Sequence, residues 1–316
     1  MTIFGESAGG YSVDSLVTSF GPSAPDGPPP FYAAIMQSGQ TSVNAGFSAD
    51  NTSWPRLIAA LNCTTDDDIA CARAVPATTL KDIIEHAALP FRPTFDNYTQ
   101  LQNAEVVRRA GQIAKVPIIT GTNANEGILF TFTQTDTQRF LRSLGLTDAQ
   151  IQLVLAVYPI GQLRITSPAT QAAAILTDLS FQCPSAIVAN DSAPHVPTWR
   201  YYYNATFPFA QIVPGLDFGA FHGSEVPVVF GTIESYGDVP EGGKRLSDLV
   251  QNMWATFARN PTGGPAPEWE GVESGFVQII GGPDGVDAEG RLRRAGTVAE
   301  LDGQRCEVWR AAYVSI

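Results

Sequence analysis

The sequence Gly-Glu-Ser-Ala-Gly at positions 5–9 fits the pattern G-x-S-x-G. The strand-forming residues 2–4 precede it, and small residues follow it, which is typical of a sharp strand-to-helix turn with no room for larger side chains. A helix after such a turn aims its first N–H groups and the positive end of its dipole at the space beside the serine. The pattern therefore predicts Ser7 as a nucleophile, with a surface serine in a glycine-rich loop as the alternative.

A serine hydroxyl needs a base at neutral pH, and the chain has three histidines. His86 falls in a predicted helix over residues 81–88, and His195 lies in a proline-flanked turn. His222 lies in a loop of small residues, 219–225, directly before the apolar run 226–230. Such a loop can reach across a sheet edge, so His222 is the predicted base, and a structural role is the alternative.

A catalytic base needs an acid that fixes its tautomer and stabilises the imidazolium. In the order serine, acid, histidine, that acid follows a strand and lies between Ser7 and His222. Glu126 meets both conditions, because it follows the apolar run 116–120. Asp96 and Asp178 compete for the role but lack such a strand, and a helix-capping or loop carboxylate is the alternative for Glu126.

Apolar patterns predict the elements that position these residues. Strands are predicted at 2–4, 33–36, 116–120, 199–203 and 276–280, and helices at 8–20, 101–114, 246–257 and 306–313, with a helical region over 136–192. Alternating strands and helices predict an α/β fold, a mostly parallel sheet with helices on both faces. Without an internal repeat or a low-complexity linker, residues 1–316 are predicted to form a single domain.

Composition excludes several classes of protein. The 316 residues include 19 Lys and Arg against 31 Asp and Glu, a net charge of −12 that disfavours binding to nucleic acid or anionic lipid. A hydrophobic content of 44% excludes a disordered polyanion. The sequence contains no run of about 18 apolar residues, so no transmembrane helix is predicted.

Cysteines and glycosylation sequons indicate the compartment. Cys63 and Cys71 bracket a short acidic segment that a local disulfide could close, although four cysteines in this length could also be buried thiols. The five sequons begin at Asn51, Asn62, Asn97, Asn190 and Asn204. Together these features favour a secretory origin, with chance occurrence as the alternative.

Several segments, in chain order, resemble the type-B carboxylesterases, the family of cholinesterases and secreted fungal lipases. Residues 2–10 resemble the family's nucleophile elbow, 34–39 its next strand, 121–127 its acid loop, and 222–231 its histidine loop. The resemblance implies an α/β-hydrolase fold and ester hydrolysis through an acyl-enzyme on Ser7, with His222 as base and Glu126 as acid. It implies no metal and no other cofactor, and a small-molecule or lipid ester as substrate.

The resemblance also implies roles for further residues. Ala8 would donate a backbone N–H to the oxyanion, while Glu6 and Glu225 match family carboxylates that support the imidazolium or are structural. Phe91 falls where the family builds part of its acyl pocket. The implied disulfides are Cys63–Cys71 and Cys183–Cys306.

One departure concerns the start of the chain. The family's enzymes carry a long segment before the elbow that holds the first strands and a glycine-rich oxyanion loop, whereas Ser7 is here the seventh residue. We therefore expect the C-terminal part of a secreted parent enzyme, with the N-terminal strands absent and activity weak or lost in this chain alone. The alternatives are a non-catalytic binding protein with the hydrolase fold and an incomplete gene product. Ester chain length and oligomeric state are not predicted.

Overall fold

A computed structural model describes residues 1–40, 52–63, 67–162, 164–213 and 215–314. Its contacts divide the chain into two compact units. The first unit comprises Met1–Ala45 with Asn103–Ile316, and the second comprises Gly46–Gln102. The strands of the described residues all belong to the first unit.

One six-stranded sheet forms the centre of the first unit, and its strands lie side by side in chain order. The strands are β1 (Thr2–Glu6), β2 (Ala33–Gln37), β3 (Ile118–Asn123), β4 (Thr198–Tyr203), β5 (Phe276–Ile280) and β6 (Arg293–Thr297). The first five are parallel and β6 runs antiparallel to β5. The carboxyl ends of β1 to β5 therefore meet at one edge of the sheet, where the predicted site residues follow the strands.

The helices alternate with the strands along the chain. They are α1 (Ala8–Ser19), α2 (Ser53–Ala60), α3 (Asp68–Ala74), α4 (Ala77–His86), α5 (Ala104–Arg109), α6 (Ile128–Thr131), α7 (Thr137–Ser143), α8 (Asp148–Val157), α9 (Pro168–Thr177), α10 (Cys183–Ser192), α11 (Val226–Val229), α12 (Glu241–Arg259), α13 (Val298–Leu301) and α14 (Gly303–Val314). Of these, α2, α3 and α4 lie in the second unit.

Successive residues of the buried strands face opposite sides of the sheet, as the period of two requires. Ile35 and Ile119 pack in one apolar cluster with α12, whereas Met36 and Ile118 pack in another with α1. The predicted parallel sheet with helices on both faces is confirmed.

Some predicted boundaries differ from the structure. The helix predicted over 101–114 is shorter in the structure, where it consists of α5 alone. The chain then turns at Gly111, whose φ is +68°. Strand β3 starts after Pro117 and continues through polar residues, because Thr122 and Asn123 are buried and pair with β4. Strand β6 was not predicted, since its sequence Arg-Arg-Ala-Gly-Thr lacks apolar alternation.

Helices α9 and α10 join through a π-helical turn, Asp178–Gln182, into one run, Pro168–Ser192. This run is long and apolar enough to cross a membrane, but 78% of its most apolar stretch is buried inside the protein. Core helices pass the same test, so the run is only weak evidence against the predicted absence of a membrane span.

Candidate active site

Ser7 occupies a sharp turn between the last residue of β1 and the first residue of α1. Its φ of +56° and ψ of −119° lie outside the regions that side-chain-bearing residues favour, at a cost on the order of 1–3 kcal/mol. Two hydrogen bonds fix this conformation. The Ser7 N–H donates to the Gln37 carbonyl over 2.9 Å, and the Ser7 carbonyl accepts from the Tyr11 N–H over 2.9 Å.

Glycines make the turn sterically possible, as the motif predicts. A Cβ on Gly5 would lie 2.4 Å from the carbonyl carbon of Gly9. A Cβ on Gly39, beyond the end of β2, would lie 2.0 Å from the Ser7 carbonyl oxygen. Both contacts are with backbone atoms, so substitution would push the serine out of place.

Ser7, His222 and Glu126 form one continuous line of hydrogen bonds. The Ser7 Oγ lies 2.7 Å from His222 Nε2, and His222 Nδ1 lies 2.6 Å from Glu126 Oε2. With a neutral imidazole, Nδ1–H donates to the carboxylate and Nε2 accepts from the serine hydroxyl. The structure thus brings together the three residues that the sequence singled out. Along the chain, His222 lies 96 residues after Glu126 and 215 residues after Ser7.

The second oxygen of Glu126 is held by the sheet. Its Oε1 accepts from the Asn123 N–H over 2.6 Å and from the Ser38 hydroxyl over 2.5 Å. Glu126 and Ser38 are fully buried. Ser38 and Asn123 were not predicted as site residues, although both lie at the carboxyl end of a parallel strand, which is the available signal.

Carboxylates around His222 decide its charge. Burial alone lowers the pKa of His222, but the hydrogen bond and charge of Glu126 outweigh it, with smaller contributions from Glu6 and Glu225. The net result is a raised pKa, so the site stabilises the imidazolium, as a general base requires.

Glu6 approaches the same imidazole, with its Oε1 3.4 Å from His222 Nε2. Desolvation and repulsion by Glu225 raise the pKa of Glu6 to about 7, and His222 partly opposes them. Glu6 therefore changes charge near neutral pH, next to the predicted base.

Glu225 has different contacts. Its oxygens accept from the Gln37 side-chain amide over 3.0 Å and from the Asn123 side-chain amide over 2.5 Å. Gln37 in turn accepts from the Trp254 indole N–H over 3.0 Å. Burial and repulsion by Glu126 raise the pKa of Glu225. These bonds connect the ends of β2 and β3 to the histidine loop.

Aromatic rings flank the imidazole. The ring centroids of Phe181 and Phe130 lie 4.8 Å and 5.3 Å from that of His222. Phe130 is 50% exposed, so it offers an apolar surface beside the line of hydrogen bonds. Neither ring was predicted from the sequence. Phe181 projects from the π-helical turn, which the helical pattern does not reveal.

Ala8 is the first residue of α1, so its N–H is among the first-turn donors that have no partner within the helix. This N–H follows the nucleophile directly, which is the position of an oxyanion donor at such an elbow.

The competing residues have other partners. His195 Nε2 lies 3.0 Å from the Arg109 carbonyl oxygen, and Asp178 accepts from the Tyr158 hydroxyl over 2.8 Å. In the second unit, His86 Nδ1 lies 2.7 Å from the Asp82 carbonyl oxygen one turn earlier in α4. Asp96 there accepts the backbone N–H groups of a tight turn, 98–100.

Phe91 lies in the second unit, 40% exposed and with a φ of +43°. Its N–H donates to the Ser53 hydroxyl over 3.4 Å. Its substrate-binding role stays a prediction.

Both implied disulfides are formed, Cys63–Cys71 in the second unit and Cys183–Cys306 in the first. Among the sequons, Asn62 and Asn97 are exposed, whereas Asn190 and Asn204 are half-buried. Asn51 lies outside the described residues. Glycosylation stays a prediction.

Comparisons of the sequence with a family model and with individual proteins point to the same family. The Carboxylesterase family model matches residues 1–284. A para-nitrobenzyl esterase from Bacillus subtilis is 28% identical over 85% of this chain and 54% of its own length. A secreted triacylglycerol lipase, LIP1, from Gibberella zeae is 29% identical over 85% of this chain and 51% of its own length. The chain thus spans about half the length of these curated relatives.

A solved structure shares the fold. The crystal structure of Aspergillus niger EstA superimposes with a TM-score of 0.74 at 22% identity, over 99% of this chain and 64% of the other. The α/β-hydrolase fold implied by the sequence is confirmed. The family model covers most of the chain and includes the Ser7 turn, the Glu126 loop and the His222 loop, so the chain belongs to the carboxylesterase family.

Proposed function

We propose that this protein hydrolyses carboxylic esters through an acyl-enzyme on Ser7. The observation that supports this most is the unbroken line from Ser7 Oγ through His222 to Glu126, with contacts of 2.7 Å and 2.6 Å. Both contacts lie within hydrogen-bond reach, as nucleophile activation requires, and Ser7 lies on the sharp strand-to-helix turn that is typical of a nucleophile.

The proposed reaction has two halves. As Ser7 Oγ attacks the ester carbonyl carbon, His222 Nε2 takes the serine proton, and the Ala8 N–H donates to the developing oxyanion. The C–O bond to the alcohol then breaks, and His222 returns the proton to the departing alcohol oxygen. In the second half His222 takes a proton from water, whose oxygen attacks the acyl carbon. The carboxylic acid leaves, and the proton returns to Ser7 Oγ.

The substrate class follows from the surface beside His222 and from the relatives. Phe130 and Phe181 form an apolar wall beside the imidazole, which favours esters with an apolar acyl or alcohol group. The names of the relatives include a para-nitrobenzyl esterase, a triacylglycerol lipase and a chlorogenic acid esterase. We propose a small-molecule or lipid ester as substrate.

We also propose that the protein acts outside the cell. Two fungal relatives are named as secreted lipases, and both cysteine pairs of this chain are oxidised, as is common in oxidising compartments.

The test is covalent labelling of Ser7 with a fluorophosphonate probe, together with turnover of a short p-nitrophenyl ester. Probe labelling depends on nucleophile activation and needs no complete turnover. We expect labelling that is lost in Ser7→Ala and in His222→Gln, and that is retained in Ser12→Ala, which removes a hydroxyl from α1. Folded wild-type protein that neither reacts with the probe nor turns over the ester would contradict the proposal and favour a non-catalytic binding protein.

A further inference from the structure

The loop that carries Glu126 is hydrogen-bonded directly to the loop that carries His222. The Asn123 side-chain amide donates to the Phe221 carbonyl over 2.8 Å, and the Asn125 N–H donates to the Ala220 carbonyl over 2.9 Å. The Ala220 N–H donates back to Asn125 Oδ1 over 3.2 Å. These bonds all end on the two residues immediately before His222.

The bond to the Asn125 side chain depends on a glycine. Gly219 has a φ of +64°, and a Cβ there would lie 2.2 Å from Asn125 Oδ1. Only glycine leaves this space to the amide of Asn125. The sequence thus places a residue without a side chain where the acid loop must approach the base loop.

The Asn125 side chain also lines a cavity of about 790 Å³ that Gly219 lines as well. Asn125 is half-buried, so part of its surface faces this open space. The amide oxygen of Asn125 accepts from the N–H of Ala220, which lies two residues before His222. A movement of the amide is therefore transmitted to His222 through a very short length of backbone.

We propose that Asn125 is a positioning residue that acts through Ala220 to hold His222 at hydrogen-bond distance from Glu126. The inference rests on the function proposed above for Ser7, Glu126 and His222. The contact between His222 Nδ1 and Glu126 Oε2 is 2.6 Å, and His222 must also stay 2.7 Å from Ser7. A small displacement of the histidine backbone weakens both contacts at once, and misplacement by about 1 Å can cost roughly a hundredfold in rate.

Two variants remove the contact in different ways. Asn125→Leu removes the acceptor, whereas Gly219→Ala keeps Asn125 but puts a methyl group where its amide lies. Gly215→Ala is the matched control for Gly219→Ala, since Gly215 has a φ of +81° and no atom near the added Cβ. Asn125→Asp keeps the acceptor and serves as the rescue variant.

The first readout needs no activity. The proton shared by His222 Nδ1 and Glu126 should give a low-field proton NMR resonance, assigned by its loss in Glu126→Gln. We expect this resonance to shift or broaden in Asn125→Leu and Gly219→Ala, and to stay in place in Gly215→Ala. The second readout is the rate of Ser7 labelling by the fluorophosphonate probe. We expect it to fall roughly tenfold to a hundredfold in the first two variants. On the alkaline plateau of the labelling rate against pH, Asn125→Asp should label within about threefold of wild type.

The outcomes separate this inference from the proposed function. Resonance and labelling unchanged in both contact-removing variants would overturn the inference, and so would loss of folding by circular dichroism in both, because the contact would then serve the fold as a whole. If only Asn125→Leu fails to fold, Gly219→Ala decides. A wild-type protein that is not labelled, but whose resonance shifts in the variants, would contradict the proposed function and leave the positioning role of Asn125 supported.

Discussion

The hydroxyl of Ser38 donates to Oε1 of Glu126 over 2.5 Å, while Oε2 of the same carboxylate faces His222. Ser38 follows β2 and Glu126 follows β3, so a bond between neighbouring strand ends orients the acid. The Ser38 N–H also donates to the Gly121 carbonyl over 2.9 Å, which fixes Ser38 to the strand beneath Glu126. Hydrogen bonds from the ends of the strands therefore fix the orientation of the Glu126 carboxylate.

Loss of the Ser38 hydroxyl should weaken both the fold and the site. In Ser38→Ala, Glu126 stays buried with one hydrogen bond fewer, and a bond to a charged group contributes about 1.5–3 kcal/mol. We expect the free energy of unfolding in urea to fall by that amount and Ser7 labelling to slow by about tenfold. Ser274→Ala, which removes an exposed hydroxyl, is the control and should change neither quantity. Labelling at the wild-type rate in Ser38→Ala would show that Asn123 alone can orient Glu126.

Glu6 should make the protein less stable as the pH rises. Its pKa is about 7 in the folded protein against an ordinary 4.5, so the folded state holds its proton more tightly and loses stability between these two pH values. Glu6→Gln removes this loss. We expect the variant to be more stable than wild type at pH 8 by about 1–2 kcal/mol, allowing for partial exposure of the side chain, and about equal at pH 4.

The same substitution should change the reactivity of Ser7. The charge of Glu6 helps to raise the pKa of His222, so Glu6→Gln lowers it. The acid limb of the labelling rate against pH should then move to lower pH. Exposed Glu273→Gln should follow the wild-type curve in both measurements. An unmoved acid limb in Glu6→Gln would contradict the electrostatic role of Glu6.

The two disulfides should contribute unequally to stability. Cys183–Cys306 closes a loop of 123 residues and Cys63–Cys71 one of 8. In the loop-entropy description these correspond to about 5 and about 2.5 kcal/mol. We expect Cys183→Ala with Cys306→Ala to lower the free energy of unfolding about twice as much as Cys63→Ala with Cys71→Ala. Equal losses would show that strain or denatured-state structure outweighs loop length.

Asp302 should be hard to remove on its own. Its two oxygens accept from the Arg200 guanidinium, each over 2.7 Å, and the Arg200 side chain is 1% exposed. Asp302→Ala leaves that cation buried without its partner, so we expect a loss of about 3–5 kcal/mol in chemical denaturation. The apolar double variant Arg200→Met with Asp302→Leu should lose much less, because it removes both charges. If the double variant is as unstable as Asp302→Ala, the missing charge balance is not the cause.

The parts of the site that could be predicted from the sequence are those with a local signature. Ser7 lies in a five-residue pattern, and Glu126 and His222 lie in short loops next to apolar runs. Ser38 acquires its contact only through the register in which Gln37 pairs with Gly121, and register between distant strands leaves no local pattern. Phe181 meets His222 because a π-helical turn changes the face it occupies.

The same distinction between local and non-local sequence signals applies to the fold. Strands β2 and β5 are apolar and were predicted almost to the residue, because burial on both faces gives a continuous apolar run. Strand β6 carries two arginines and a glycine, and it forms because β5 offers it an edge. That information lies in the partner strand, outside the segment itself.

The bond between Cys183 and Cys306 turns the segment between them into a covalent ring. His222 is a member of this ring, while Ser7 and Glu126 belong to the open part of the chain that leads into it. A single proteolytic cut inside the ring therefore leaves every part of the line from Ser7 to Glu126 in one covalently connected molecule. During synthesis from the N-terminus the ring can close only when Cys306 has emerged, after the segments that carry Ser7, Glu126 and His222. The crosslink thus constrains the segment that carries His222 only after Ser7, Glu126 and His222 have all been synthesised.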